Sequence, residues 1–199
     1  MYKLAIDASS GDLGSSIVVK ACQNFVKEYQ DTYLYVTGKI DELKSLEGLP
    51  NVEIVEANDV LGMTESIMAV RRKKDSSMVK AVTLAREDKA DAVVSCGSTG
   101  AFYASAMLFL KRLEGVEKCG LLATLPTKNG KGVCMCDVGA NAENTAEQLE
   151  QFAIMGSCYV SCVKGVDQPK VALLNIGSEE KKGDEAHQKA YQLMKANPH

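Results

Sequence analysis

The chain reads as an α/β protein of three layers, α/β/α, built on a mostly parallel sheet. Three observations predict this. Short β-rich runs alternate with stretches of helical periodicity along most of the 199 residues, which is the pattern of strands joined by helical crossovers. Two of the runs, Ala92-Val93-Val94-Ser95 and Val171-Ala172-Leu173-Leu174-Asn175-Ile176, are apolar almost throughout, as in a sheet covered on both faces. Helix-forming stretches with one apolar face lie between the runs and supply those covers.

The first strand is expected around Leu4, Ile6 and Ala8, and it ends in the loop Ser9-Ser10-Gly11-Asp12-Leu13-Gly14. Ile17, Val18, Cys22, Phe25, Val26 and Tyr29 then recur at helical spacing. Tyr33 to Val36, closed by Gly38, and Val52 to Val55 are two further strands. Residues 64–74 read as a helix with a basic end, and another helix starts near Ser76 or Ser77, with Met78, Val82 and Ala85 on one face. After the strand at 92–95, residues 99–110 form a helix that is apolar nearly all round, so it should be central. Leu121 to Thr124 and Val133 to Cys136 pair through the turn Pro126-Thr127-Lys128-Asn129-Gly130-Lys131-Gly132. The longest helix covers 144–165 and opens on a Thr145/Gln148 capping box. Its stripe of Leu149, Phe152, Ala153, Gly156, Tyr159, Val160 and Val163 is read as core packing ahead of a subunit interface. The apolar run 171–176 is the last strand, and a final helix follows the turn Gly177-Ser178-Glu179-Glu180-Lys181-Lys182-Gly183. One α/β domain spanning 1–199 is expected.

Composition narrows the function. A net charge of -3 with pI near 5.5 argues against a nucleic-acid footprint, which would be a basic stripe. The sequence has no apolar run long enough for a transmembrane span, and Asp7 interrupts any signal-peptide pattern. The seven cysteines are odd in number and sit in a chain that is not small. They are therefore expected to be reduced and buried, in a cytoplasmic protein. Only two histidines occur, both near the end, so no metal site is expected.

In a parallel sheet, ligands bind beyond the carboxyl ends of the strands. The loops starting at Ser9, Ser95, Asp137 and Gly177 all follow expected strands, so they should gather on one edge. The opening loop lacks G-x-G-x-x-G, and no G-x-x-x-x-G-K-[ST] occurs. Arg72-Lys73-Lys74-Asp75-Ser76-Ser77 places cations and hydroxyls at a helix start, which suits an anion. Lys73 and Lys74 also fit a solvated cationic helix end. Gly97 and Gly100, flanking Ser98 and Thr99, allow close backbone approach to a ligand, or simply make a capped strand-to-helix turn. Cys96 is read as partly buried rather than as a reactive thiol. Asp137 and Asn141 are turn formers or site groups, and Lys182 is the member of its turn retained as a candidate.

Six motifs in register resemble the PlsX family, the bacterial phosphate acyltransferases that act on acyl carrier protein thioesters in phospholipid synthesis. They are Ile6-Asp7-Ala8-x-x-Gly11-Asp12-x-Gly14, Lys73-Lys74-Asp75-Ser76-Ser77-Met78, Ser95-x-Gly97-x-Thr99-Gly100-Ala101, Asp137-Val138-Gly139-Ala140-Asn141, Phe152-Ala153-x-Met155-Gly156 and Leu173-Leu174-Asn175-Ile176-Gly177-x-Glu179-Glu180-x-Lys182-Gly183. The family's usual Met-Gly-Gly-Asp opening is Ser9-Ser10-Gly11-Asp12 here, its Asn between the glycines is Ser98, and its Arg-Pro pair is Lys118-Cys119. Family members continue past Asn197-Pro198-His199 with further strands, so the resemblance makes this chain the N-terminal part of a longer domain.

The resemblance implies a phosphotransacetylase-like fold, related to that of the isocitrate and isopropylmalate dehydrogenases. It also implies transfer of an acyl group from acyl carrier protein to inorganic phosphate, without a metal or other cofactor. Catalytic roles would fall to Lys74, Asp137, Asn141 and Lys182. Phosphate or substrate would be held by Asp7, Gly11, Asp12, Gly14, Lys73, Ser76, Ser77, Gly97, Ser98, Thr99 and Gly100. A homodimer at the cytoplasmic face of the membrane is implied as well. The rival readings are a short-chain enzyme using acyl-CoA, and a folded chain that dimerises or binds carrier protein without turnover.

Overall fold

The computed structural model describes residues 1–198. The chain divides into two compact units, Met1–Lys111 and Arg112 onward.

The first unit holds a four-stranded sheet of order β3-β2-β1-β4: β1 is Tyr2–Asp7, β2 Thr32–Gly38, β3 Val52–Glu56 and β4 Ala92–Ser95. Every pairing is parallel, with Ile6 opposite Val36 and Val94, and Asp7 opposite Thr37 and Ser95. Strand residues alternate between two faces, and each face has its own helix. Leu4, Ile6, Leu34, Val36, Val52 and Ile54 pack with Val18, Val19, Cys22 and Val26 of α1, Ser15–Glu28. Ala5, Tyr35, Val55 and Val93 pack with Ala81 and Leu84 of α4, Ser77–Arg86. The parallel sheet and its two helical covers are therefore both present in this unit.

Its shorter α-helices are α2 Ile40–Leu43, α3 Ala69–Arg72 and α5 Thr99–Ser105. The helix expected over 64–74 shrinks to α3. Side chains there bond to nearby backbone instead of leaving it free to coil: Ser66 Oγ accepts from Met68 N at 3.3 Å, and Glu65 accepts from Gly62 N at 3.3 Å. The helix expected over 99–110 is α5 followed by a π-helical stretch, Ala106–Leu110. Ala101, Ala104 and Ser105 are buried, but Leu108 and Leu110 are exposed, so only one side of this segment is central.

The second unit contains the hairpin β5 Ala123–Leu125 and β6 Val133–Met135, antiparallel with Thr124 opposite Cys134. Its helices are α6 Ala146–Lys164 and α7 Glu185–Ala196. The Thr145/Gln148 capping box is formed in both directions, and Gly165 closes α6 at φ 64°. Within the expected α6 core stripe Phe152 is 2% exposed, but Val163 is 63% exposed and Tyr159 39%, so the stripe is only partly core.

The strand expected at 171–176 does not form. A strand needs a ladder partner for its N–H and C=O groups, and none of the described strands runs beside this segment. Leu174 and Ile176 are accordingly 72% and 86% exposed. Among the described residues no helix is long and apolar enough to cross a membrane.

Candidate functional site

The strand order places the site. From β1 the chain steps to β2 and β3 on one side, then returns to β4 on the other. Such a reversal opens a crevice beyond the carboxyl ends of the two strands that flank it, here β1 and β4. Asp7 and Ser95 end those strands in direct register.

Asp7 is 2% exposed and is the hub of the crevice. Ser77 Oγ donates to its Oδ1 at 2.5 Å and Ser10 Oγ at 3.1 Å, while Ser95 Oγ donates to its Oδ2 at 2.6 Å. The Ser9 backbone N–H adds a bond to Oδ1 at 3.3 Å. Ser95 Oγ in turn accepts from Gly97 N at 3.1 Å. One carboxylate thus ties together the loop after β1, the start of α4 and the loop after β4. A buried charge requires such satisfaction, and hydroxyl donors meet it with short charge-assisted bonds.

The glycines of these loops are shaped by contact. A Cβ on Gly97 would fall 2.6 Å from Ser10 Cβ and 2.7 Å from Met78 Cε, and one on Gly11 would fall 3.2 Å from Cys96 Cβ. Gly14, the residue before α1, has φ 72° and ψ -177°, a region open essentially to glycine alone. Ser9 Oγ is buried and has no hydrogen-bond partner among the described residues.

The expected site residues fall into distinct positions. Ser76 is fully buried and caps α4, accepting from Val79 N at 3.4 Å. Ser77 is also fully buried, with its hydroxyl on Asp7 and its carbonyl accepting from Thr37 Oγ1 at 2.8 Å. Lys74 is exposed and carries no ion pair or hydrogen bond of its side chain among the described residues. Lys73 is engaged: its ammonium donates to Val60 O at 2.8 Å and pairs with Glu65 Oε1 at 2.5 Å. That pair holds the Glu65 carboxyl below its ordinary range, helped by the Gly62 N–H. Ser98 caps α5 through Ala101 N at 3.5 Å, with Thr99 exposed and Gly100 half-buried beside it. Asp12 stands exposed at the loop tip.

Cys96 corrects an expectation, being exposed on the loop after β4. Of the seven cysteines only Cys22 is buried, and burial pushes its thiol up to about 11. Cys158 and Cys162 lie on the exposed side of α6. The expectation that cysteines mark core positions therefore fails for most of them.

Asp137, Asn141 and Lys182 belong to the second unit. Asp137 accepts from Leu121 N at 2.7 Å, Asn141 N at 2.8 Å, Ala140 N at 3.3 Å and Asn141 Nδ2 at 3.1 Å. Burial pushes its carboxyl up, but these four donors together outweigh that and hold it below its ordinary value. Asn141 Nδ2 also donates to Cys119 O at 2.9 Å. Lys182 is exposed on a turn that Asn175 closes by donating to Lys182 O at 2.9 Å. Asp137 follows β6, whereas the Gly177 turn follows an irregular segment, so only three of the four loops grouped by the sequence follow a strand.

What sequence reasoning missed is that Asp7 and Ser95 form one unit with Ser10 and Ser77, and that Lys73 serves Glu65. A signal for the first was present: an acid and a serine each end an apolar strand, and a serine pair opens α4. Glu65 gave no comparable signal, because it lies in a segment read as helix.

The fold is that of an α/β protein of the phosphotransacetylase-like class, with a crevice at the switch point of a parallel sheet. Among solved structures, the EutD phosphotransacetylase from Staphylococcus aureus superposes with a TM-score of 0.67 at 19% identity, over 98% of this chain and 63% of that one. Residues 2–199 match the family described as "Fatty acid synthesis protein". A phosphate acyltransferase from Streptococcus uberis is 40% identical over 200 residues, covering 100% of this chain and 60% of the relative. One from an Exiguobacterium strain is 44% identical over 202 residues, covering 98% and 61%. The chain belongs to this family, the PlsX family that its motifs resemble, and it spans about 60% of the length of those curated relatives.

Proposed function

We propose that the protein works as a phosphate acyltransferase, moving an acyl group from a carrier thioester to inorganic phosphate. The observation that carries this reading is the Asp7 knot. It fixes the loop Ser95–Gly100 against the start of α4 at the sheet's switch point, and the exposed Lys74 stands two residues before Ser76, the cap of that helix. Relatives named phosphate acyltransferase over the whole of this chain supply the chemistry.

A phosphate oxygen attacks the thioester carbonyl, and the carbon–sulfur bond breaks. The products are an acyl phosphate and a thiolate that takes up a proton from solvent. Phosphate is its own nucleophile, so no Ser-His pair is needed. The leaving thiol resembles that of cysteine, whose pKa is about 8.5, so the thiolate departs without a strong general acid. What remains is positioning and charge stabilisation. Lys74 and the backbone N–H groups of Ser98–Gly100 hold the phosphate, with Gly97 N–H committed to Ser95 Oγ; Asp12 and the glycines Gly11 and Gly14 shape the entrance, and Ser76 and Ser77 act through the scaffold. In the second unit, Asp137 and Asn141 brace the loop that follows β6. No cofactor enters the step.

The carrier is acyl carrier protein, and the product feeds phospholipid synthesis. The polypeptide acts as a homodimer in the cytoplasm, at the membrane surface where its lipidic product is consumed. A competition assay tests the choice of carrier. Acyl phosphate, trapped as hydroxamate, is measured with acyl carrier protein thioester and acyl-CoA together at equal concentration. Preferential use of the carrier-protein thioester is expected, and preferential use of acyl-CoA would replace this reading with the short-chain one.

A further inference from the structure

The segment between β3 and α4 is pinned at both ends, yet it leaves large apolar side chains bare. Asp75 Oδ2 accepts from Asn58 N at 3.2 Å, Asp59 N donates to Asp75 O at 3.2 Å, and Ser77 N donates to Asp59 O at 3.2 Å. Farther along, Lys73 Nζ reaches Val60 O and Glu65 Oε1, and the same Glu65 oxygen takes the Gly62 N–H. Leu61, Ala69 and Val70 are buried against Met78, Val79, Ala101 and Ala104. Between these anchors Met63, Ile67 and Met68 stay 42%, 56% and 57% exposed. Three large hydrophobic side chains thus lie bare within six residues of a well-anchored segment, where an apolar occupant would cover them.

The position of Ile67 indicates which. A Cβ at Gly100 would lie 3.8 Å from Ile67 Cδ1 and Cγ1 and 3.9 Å from Ser98 Oγ. The apolar segment therefore borders the very turn, Ser98–Gly100, at which phosphate is assigned. An acyl group reacting there must carry its hydrocarbon tail away from the same point, and Ile67 is the apolar group next to it.

We propose that Met63, Ile67 and Met68 form the wall along which the substrate's acyl chain lies, and that Lys73 is a positioning residue that latches this wall through Glu65 and Val60. The inference rests on the acyl-transfer reading and names its specificity surface. It also explains why Lys73 and Lys74, adjacent in sequence, are spent differently: one ammonium holds the wall and the other faces solvent.

The test measures equilibrium binding by calorimetry of decanoyl-pantetheine and butanoyl-pantetheine, alongside acyl-phosphate formation. Wild-type protein is compared with Ile67→Ser, Lys73→Met and Lys73→Arg. The wild type should bind the decanoyl thioester more tightly, because each buried methylene adds affinity. Ile67→Ser should weaken decanoyl binding about tenfold and leave butanoyl binding within about twofold. Lys73→Met should show the same chain-length signature, and Lys73→Arg should restore it. Ile67 is exposed, so its variant folds whatever becomes of the lysine variants. Equal effects of Ile67→Ser on both thioesters, or no effect on either, overturn the wall. If the wall signature is absent while acyl phosphate forms, acyl transfer stands alone. If the signature is present without acyl phosphate, the wall stands and the reaction assignment falls.

Discussion

Replacing Asp7 with asparagine probes the hub with the smallest change of shape. The asparagine carbonyl would take the Oδ1 position, where Ser77 Oγ, Ser10 Oγ and Ser9 N converge. Its NH2 would then face Ser95 Oγ, which already accepts from Gly97 N and now donates at 2.6 Å. A donor would meet a hydroxyl whose own proton has lost its acceptor. One charge-assisted bond, worth about 1.5–3 kcal/mol, is lost. The Ser77 and Ser10 bonds fall from charge-assisted to neutral strength, at about 1 kcal/mol each. Relief of the buried charge returns part of this, which leaves a net destabilisation of about 2–4 kcal/mol. At about 2–4 °C per kcal/mol for a chain of this size, Tm should drop by roughly 4–16 °C in a thermal scan followed by circular dichroism. Gly97 should also lose amide protection from hydrogen exchange, since its acceptor is disturbed. A variant within about 0.5 kcal/mol of wild type, with Gly97 still protected, would refute the hub.

Other outcomes follow from the same geometry. Gly97→Ala should cost about 1–3 kcal/mol in urea unfolding, because its Cβ would collide with Ser10 and Met78. Gly100→Ala makes only ordinary contacts within α5 and should be neutral or stabilising by up to about 1 kcal/mol. Ser9→Ala removes a buried hydroxyl that has no partner among the described residues, and should raise stability by about 1 kcal/mol. The folded-state carboxyl of Asp137 lies below its ordinary value, so its contribution is full above the unfolded value near 3.9. That contribution is lost as pH falls through the lower folded value. An acid titration of unfolding free energy should therefore steepen below about pH 4 in wild type, and less so in Asp137→Asn; identical acid limbs would contradict this.

Much of the first unit was legible because short strands with β-branched residues and alternating faces leave a local signature. Leu4, Ile6, Leu34 and Val36 each carry the period of two in the sequence and face α1 in the structure. The Thr145/Gln148 box was legible for the same reason, since a cap is set by residues three apart. The run 171–176 misled because apolarity states a preference for burial and not the presence of a neighbour to pair with. The helix over 64–74 misled because Glu65 and Lys73 bond to a loop that periodicity does not encode. The positions of the loops after β1 and β4 were readable from their glycines and serines, but the Asp7 unit that ties them to α4 was not. The division of labour between Lys73 and Lys74 was not, because it depends on contacts to Val60 and Glu65 across a turn.

The most direct measurement is acyl-phosphate formation, trapped as hydroxamate, from acyl carrier protein thioester as inorganic phosphate is varied. It is run on this chain, on a polypeptide spanning the full length of its relatives, and on Lys74→Ala in whichever is active. The account predicts phosphate-dependent hydroxamate, with Lys74→Ala losing about tenfold or more in kcat/KM for phosphate, the value of one charge-assisted contact. No acyl phosphate from either polypeptide would contradict the assigned reaction, and unchanged phosphate kinetics in Lys74→Ala would contradict the assigned site.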